Sequence, residues 1–180
     1  MHRPFKSNRL KMNSILRKAT IEDIDQIWTI LQQAIARRKK DGSDQWQDGY
    51  PNQKVIQQDI EKVFGYVLTY DETIVGYTAI LINDEPAYND LKGTWLTNGN
   101  FVVVHRLAIS DDYIGKGLAQ KMMLYTEDFA LQQNIFSVKV DTNFDNIPML
   151  KIFKKLGYTY CGEVMLKGGI RKAFEKKLFK

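Results

Sequence analysis

The sequence has little of what staples or anchors a chain. It holds one cysteine, Cys161, in 180 residues, which excludes an intrachain disulfide framework and fits a reducing, cytoplasmic setting. No apolar run is long enough to span a bilayer, so no membrane segment is expected. The basic N-terminus lacks the apolar stretch of a secretory signal. Repeats, low-complexity tracts and interdomain linkers are missing as well, and the length suits one domain with a substantial core. Two common phosphate-binding signatures are also absent. No Gly-x4-Gly-Lys-Ser/Thr run occurs, and Gly115-x-Gly117 continues to Gln120 where a dinucleotide fingerprint needs glycine.

The net charge of +5 invites a nucleic-acid partner, but its placement argues against one. Six of the 26 basic side chains (Arg3, Lys6, Arg9, Lys11, Arg17, Lys18) fall in residues 1–18, where no acid occurs, so the remaining 20 face 21 acids. The basic character belongs to the start of the chain. We read residues 1–13, with His2, as a basic, disordered leader ahead of a domain over 14–180. Neither nucleic acid nor a membrane is expected as a partner, and no metal site is expected.

Periodicity places the elements. Ser14 to Arg17 reads as an edge strand, and Thr20-Ile21-Glu22-Asp23 as a capping-box-like helix start. Ile24, Ile27, Leu31, Ala34 and Ile35 follow at helical spacing, with Arg37 to Lys40 near the end and Gly42 after it. Asn52 caps a second helix whose stripe is Val55, Ile56, Ile60, Val63 and Phe64. Tyr66 to Tyr70 and Ile74 to Leu81 form a hairpin around Asp71-Glu72-Thr73. A loop covers Asn83 to Asn98. Phe101 to Ile109 is a strand rich in β-branched residues. A helix from about 117 to 133, a strand from Phe136 to Val140, a helix from Asn146 to Leu156 stopped by Gly157, and a closing hairpin around Gly168-Gly169 complete the chain. The order predicts an α+β fold: a mixed central β-sheet flanked by helices on both faces.

One turn carries chemistry. Ile114-Gly115-Lys116-Gly117-Leu118-Ala119 joins a strand to an immediate helix start. Unpaired N–H groups and the positive end of the helix dipole make such a start an anion site. Glycines let the main chain curl around a phosphate oxygen, and Lys116 can add a direct charge contact.

Ile114-x-x-Gly117-x-Ala119 resembles the Arg/Gln-x-x-Gly-x-Gly/Ala pattern of the GNAT superfamily of N-acetyltransferases. The resemblance extends to the strand Val104 to Ser110 before the turn. It extends also to Asn146-x-x-Met149-x-x-x-Phe153-x-x-x-Gly157-Tyr158 after it, which is similar to the family's Asn-x-x-Ala-x-x-x-Tyr-x-x-x-Gly-Phe segment. It covers most of 14–180 and is most specific over 101–158. It implies acetyl-CoA (coenzyme A) as the coenzyme and direct attack by a substrate amine through a tetrahedral intermediate. It further implies a splay beside the central strand that receives the pantetheine arm. On this reading the main chain of Leu107, Ala108 and Ile109 holds the arm, and one of these N–H groups, assigned to Leu107, polarises the thioester carbonyl. The turn from Ile114 through Ala119 binds pyrophosphate. Asn146 contacts the coenzyme, with Asn143 a weaker candidate, and Phe153 lies beside it.

Three departures stand out. Ile114 replaces Arg/Gln, Met149 replaces a small residue, and Phe153 stands where many relatives carry a tyrosine able to protonate the leaving thiolate. An attacking amine must be neutral, so a base within reach helps. His105 is the nominee, because imidazole ordinarily titrates near neutrality. Strand alternation places His105 and Leu107 on one face and Arg106 on the other. Trp46, Tyr50 and Trp95 sit in loops and are the candidates for an acceptor pocket, with Asp44, Asp48 or Glu85 suiting a cationic amine. The acceptor expected is a small-molecule or peptide amine, and a homodimer is compatible with the chain. Cys161 reads as a strand residue. The alternative to an enzyme is a catalytically weak or inactive acyl-CoA-binding module.

Overall fold

The computed structural model describes residues 14–179; the leader read over 1–13 lies outside them. The strands are β1 (Ser14–Lys18), β2 (Gly65–Tyr70), β3 (Thr73–Ile82), β4 (Lys92–Gly93), β5 (Val102–Ile109), β6 (Ser137–Thr142), β7 (Thr159–Leu166) and β8 (Gly169–Lys177). The helices are α1 (Ile24–Lys40), α2 (Gln53–Glu61), α3 (Leu118–Gln132) and α4 (Ile147–Leu156). All the strands join one mixed sheet in the order β1-β2-β3-β5-β6-β8-β7-β4. Among the described residues only β5 and β6 run parallel.

Helices cover both faces. On one, Ile27, Ile30 and Leu31 of α1 and Ile56 of α2 bury against Val67, Tyr77 and Ala108. On the other, Met123 and Ala130 of α3 and Phe153 of α4 bury against Val102, Val104, Val138 and Val140. Fully burying side chains of this size stabilises by about 1.5–3 kcal/mol each, so the apolar stripes dock the helices. Local signals agree with this packing. The Thr20 N–H donates to the Asp23 carboxylate at 2.8 Å, just ahead of α1. Asp71 and Glu72 both take positive φ, 46° and 67°, as a two-residue hairpin turn demands.

Two segments differ from the sequence reading. The stripe of α2 stops short: the helix ends at Glu61, and Val63 is 51% exposed at φ 60°. The Phe64 N–H caps back to the Asp59 carbonyl at 2.7 Å, turning the chain into β2. The loop over 83–98 contains a 3-10 turn at Pro86–Asp90 and the two-residue strand β4. There Gly93 and Gly162 approach so closely that a Cβ on Gly93 would lie 2.0 Å from the Cys161 carbonyl oxygen.

Candidate active site

β5 and β6 pair only from Val102 to Val104, against Val138 to Val140. Beyond Val104 they separate and leave a cleft of about 540 Å³ that passes through the sheet, a size suited to a small ligand. Val104, Leu107, Met123, Val140 and Phe153 line it on the α3/α4 side; Tyr50, Glu85, His105, Arg106 and Asp141 line it on the other.

A bulge in β5 aims these side chains. Tyr77 of β3 pairs with Ala108 and Ala79 with His105, so Arg106 and Leu107 together face the single residue Thr78. Arg106 takes φ 55°, a left-handed conformation that costs a side-chain-bearing residue about 1–2 kcal/mol. Its guanidinium offsets that strain. Nε and Nη2 donate to the Asp59 carboxylate at 2.9 and 2.6 Å, and Nη1 donates to the Tyr50 hydroxyl at 2.6 Å. Asp59 also accepts from the Tyr77 hydroxyl at 2.5 Å. Burial works against the Arg106 charge, but Tyr50 and Asp59 outweigh it and hold the group protonated. The bulge overturns the simple alternation expected for this strand. Leu107 packs with the core under α3, whereas His105 meets Tyr88 and Glu85 on the opposite face, the face from which Arg106 reaches Asp59.

His105 stands between two carboxylates. Nε2 lies 2.7 Å from Glu85 Oε2, and Nδ1 lies 3.9 Å from Asp141 Oδ1. The three side chains are 15%, 17% and 8% exposed respectively, so a ligand in the cleft can reach them. Burial pushes the Asp141 carboxyl up, against the His105 charge and the Tyr88 hydroxyl that donates to it at 2.6 Å. For Glu85 burial also pushes upward, but the His105 hydrogen bond and charge prevail and leave it below the ordinary carboxylate value. Asp141 was not singled out by the sequence; an acid following Val138 and Val140 at the end of an apolar strand is the signal that could have found it.

The glycine turn lies outside the cleft lining. Gly115 and Gly117 take φ 79° and 74°, with no other atom within 4 Å of where a Cβ would sit. Gly117 is the N-cap of α3 and no side chain caps that end, so the first N–H groups of the helix are free for an anion. These features fit a coenzyme pyrophosphate. Leu118 is buried and Ala119 packs on the same core, so they offer main chain only. Ile114 is exposed, and Lys116 Nζ rests 4.5 Å from the Tyr113 ring centre.

The other candidates divide. Asn146 lines the cleft but caps α4, accepting from the Met149 N–H at 3.4 Å and donating to Gln45 Oε1 at 3.2 Å. Asn143 has a buried Oδ1 without a partner among the described residues. The Ile109 carbonyl already accepts from Arg37 Nη2 at 2.9 Å. Phe153 lines the cleft, packed against Tyr158 and Phe174. Trp46 and Tyr50 line it with Asp44 and Asp48. Trp95 does not. It donates to the Tyr88 carbonyl at 2.9 Å and packs under Lys139, while the adjacent Leu96 N–H is held by the buried Glu175 at 2.5 Å. Cys161 is buried away from the cleft, and burial raises its thiol pKa. Among the described residues no cluster suited to a metal ion occurs.

Comparison with known proteins places this arrangement. A family model described as Acetyltransferase (GNAT) family matches residues 26–158. The chain is 23% identical over 92 residues to a streptothricin acetyltransferase of Escherichia coli, a match spanning 51% of each protein, about half the length of that relative. It is 25% identical over 149 residues to the uncharacterized N-acetyltransferase YesJ of Bacillus subtilis (strain 168), covering 80% of this chain and 81% of that one. A crystal structure of a GNAT-family acetyltransferase from Streptococcus agalactiae 2603 superposes with a TM-score of 0.85 at 36% identity, covering 93% of this chain and 96% of that one.

Proposed function

This chain belongs to the GNAT acetyltransferase family, and we propose that it transfers an acetyl group from acetyl-CoA to a primary amine by direct attack. The observation that carries the reading is the separation of β5 from β6 after Val104, which joins an apolar slot under α3 to a polar cavity on the other face. Acetyl-CoA supplies the activated thioester. The chain's residues do the rest. The free N–H groups at Gly117, Leu118 and Ala119 receive the pyrophosphate, aided by Gly115 and Lys116. The main chain of Leu107 and Ala108 and the N–H of Ile109 hold the pantetheine arm, with the Leu107 N–H polarising the carbonyl under attack. Asn146 edges the same slot, and Asn143 is a weaker candidate for a coenzyme contact.

His105 serves as the base. Because Glu85 occupies its Nε2 and Asp141 faces its Nδ1, the amine proton passes into a three-group cluster instead of to an isolated imidazole. Trp46, Tyr50, Asp44 and Asp48 shape the acceptor side and suit an ammonium group. Phe153 offers no proton, so the thiolate departs unassisted or takes a proton from water. Thiol release from acetyl-CoA in the presence of an amine panel tests the reading. Release that depends on the amine is the expected result. Coenzyme binding without release for any amine would leave only a binding module, and absence of binding would end both readings.

A further inference from the structure

The hairpin between β7 and β8 brings to the cleft a charge that no carboxylate among the described residues pairs with directly. Arg171 is 9% exposed and lines the cleft, yet among the described residues no carboxylate lies within 4.0 Å of it. Its hydrogen bonds both leave Nη1, to the carbonyls of Gly168 and Ile170 at 3.4 Å, near the long limit for such bonds. Nε and Nη2 have no partner among the described residues. Neither nitrogen is among the buried unpartnered atoms, so both open into the cleft, where a bidentate anion can take them. Arg106, equally buried in the same cleft, shows the completed form: its Nε and Nη2 grip the two oxygens of Asp59.

The sheet register places the unmatched fork on the acceptor side. Ala173 of β8 pairs with Asp141 of β6. Arg171 lies two residues on, so its side chain leaves the same face just past the end of β6. That face carries Asp141 and His105. Asp141 feels the Arg171 charge but lies beyond ion-pairing distance, and it already takes the Tyr88 hydroxyl. Lys167, exposed on the same hairpin, also lines the cleft and has no acidic partner among the described residues. The Asp48 carboxylate stands next to this turn and next to the fork: a Cβ on Gly168 would lie 3.5 Å from both Asp48 Oδ2 and Arg171 Nη2. A ligand seated here thus meets a paired donor fork with a carboxylate beside it.

We infer that Arg171 forms an anion subsite in the acceptor cavity and that the acceptor is an amine that also carries a carboxylate. The free Nε–Nη2 edge is planar and matches two carboxylate oxygens side by side. Asp48 and Asp44 favour the ammonium end. The inference rests on the proposed acetyl transfer for the role of the amine, but the subsite itself can be read by binding alone.

Calorimetry with coenzyme A present, using amino acids of increasing amine-to-carboxylate spacing and the matching amides, provides the test. At least one acid should bind the wild type about tenfold or more tighter than its amide. Arg171→Gln should erase that difference and Arg171→Lys should keep part of it, while titration with coenzyme A alone gives the wild-type affinity for all three proteins. Equal binding of acids and amides to the wild type overturns the subsite, and this comparison needs no variant to fold. A preference that survives in folded R171Q, judged by its melting curve, overturns it as well. Thiol release measured on the same compounds separates the two claims. Acid-selective binding without release supports the subsite and sinks acetyl transfer, whereas release with neutral amines and no acid preference does the reverse.

Discussion

Gly117 and Arg106 both occupy the left-handed region of backbone space, and for opposite reasons. At Gly117 there is open space around the missing Cβ, so the requirement is purely one of φ. Gly117→Val meets no neighbour, yet it must bear about 1–2 kcal/mol of backbone strain or reshape the turn. The expected outcome is coenzyme A binding weakened by about tenfold, read by calorimetry; an unchanged Kd would remove the turn from the coenzyme site. At Arg106 a side chain is present and its contacts hold the strain in place. His105, one residue earlier, is the base of the proposed transfer step. His105→Ala should lower turnover by about 10²–10⁴-fold at unchanged coenzyme affinity, and the rise of rate with pH expected of the wild type should flatten. A variant that keeps the wild-type pH profile would move the base elsewhere.

The bulge of β5 is anchored on another element, α2. Asp59 holds Arg106 through two nitrogens and is itself nearly buried. Asp59→Ala strands a buried guanidinium, and breaking one partner of such a pair costs about 3–5 kcal/mol. A large fall in melting temperature is expected, together with loss of amine turnover as Leu107 and Arg106 revert toward plain alternation; a stable, active D59A would show that the bulge holds itself. This dependence also explains what could be read beforehand. The helices, the hairpins and the glycine turn declare themselves through periods of two and 3.6 and through glycine placement, which are local signals. A bulge interrupts the period because of a contact with Asp59, 47 positions earlier, and nothing in Val104-His105-Arg106-Leu107 announces it. The Glu85–His105–Asp141 cluster is likewise assembled by strand pairing and a 3-10 turn, so His105 was visible as a titratable residue while its flanking acids were not visible as a set. Trp95 looked like a free loop aromatic because the buried Glu175 that tethers its loop lies on β8.

Across the whole molecule, the cleft trades stability for a set of buried charges. Asp141 is the clearest instance, since burial raises its pKa above that of the unfolded chain. A raised carboxylate pKa means the folded state keeps its proton longer, so stability is lost as pH climbs from the unfolded value, about 3.9, through the folded one. Asp141→Asn removes that loss. Its melting temperature should exceed the wild type by about 2–4 °C at neutral pH and match it below about pH 4, with turnover impaired; no gain at neutral pH would mean that His105 and Arg171 already compensate the charge. The separation of β5 from β6 has a kinetic consequence as well. A sheet with a slot through it has a door on each side: in the proposed transfer the coenzyme would enter past α3 and the amine past the Asp44–Asp48 loop, so neither traveller would block the other. Both must be inside before the acetyl group moves, and initial-rate lines taken at several fixed amine concentrations should converge instead of running parallel.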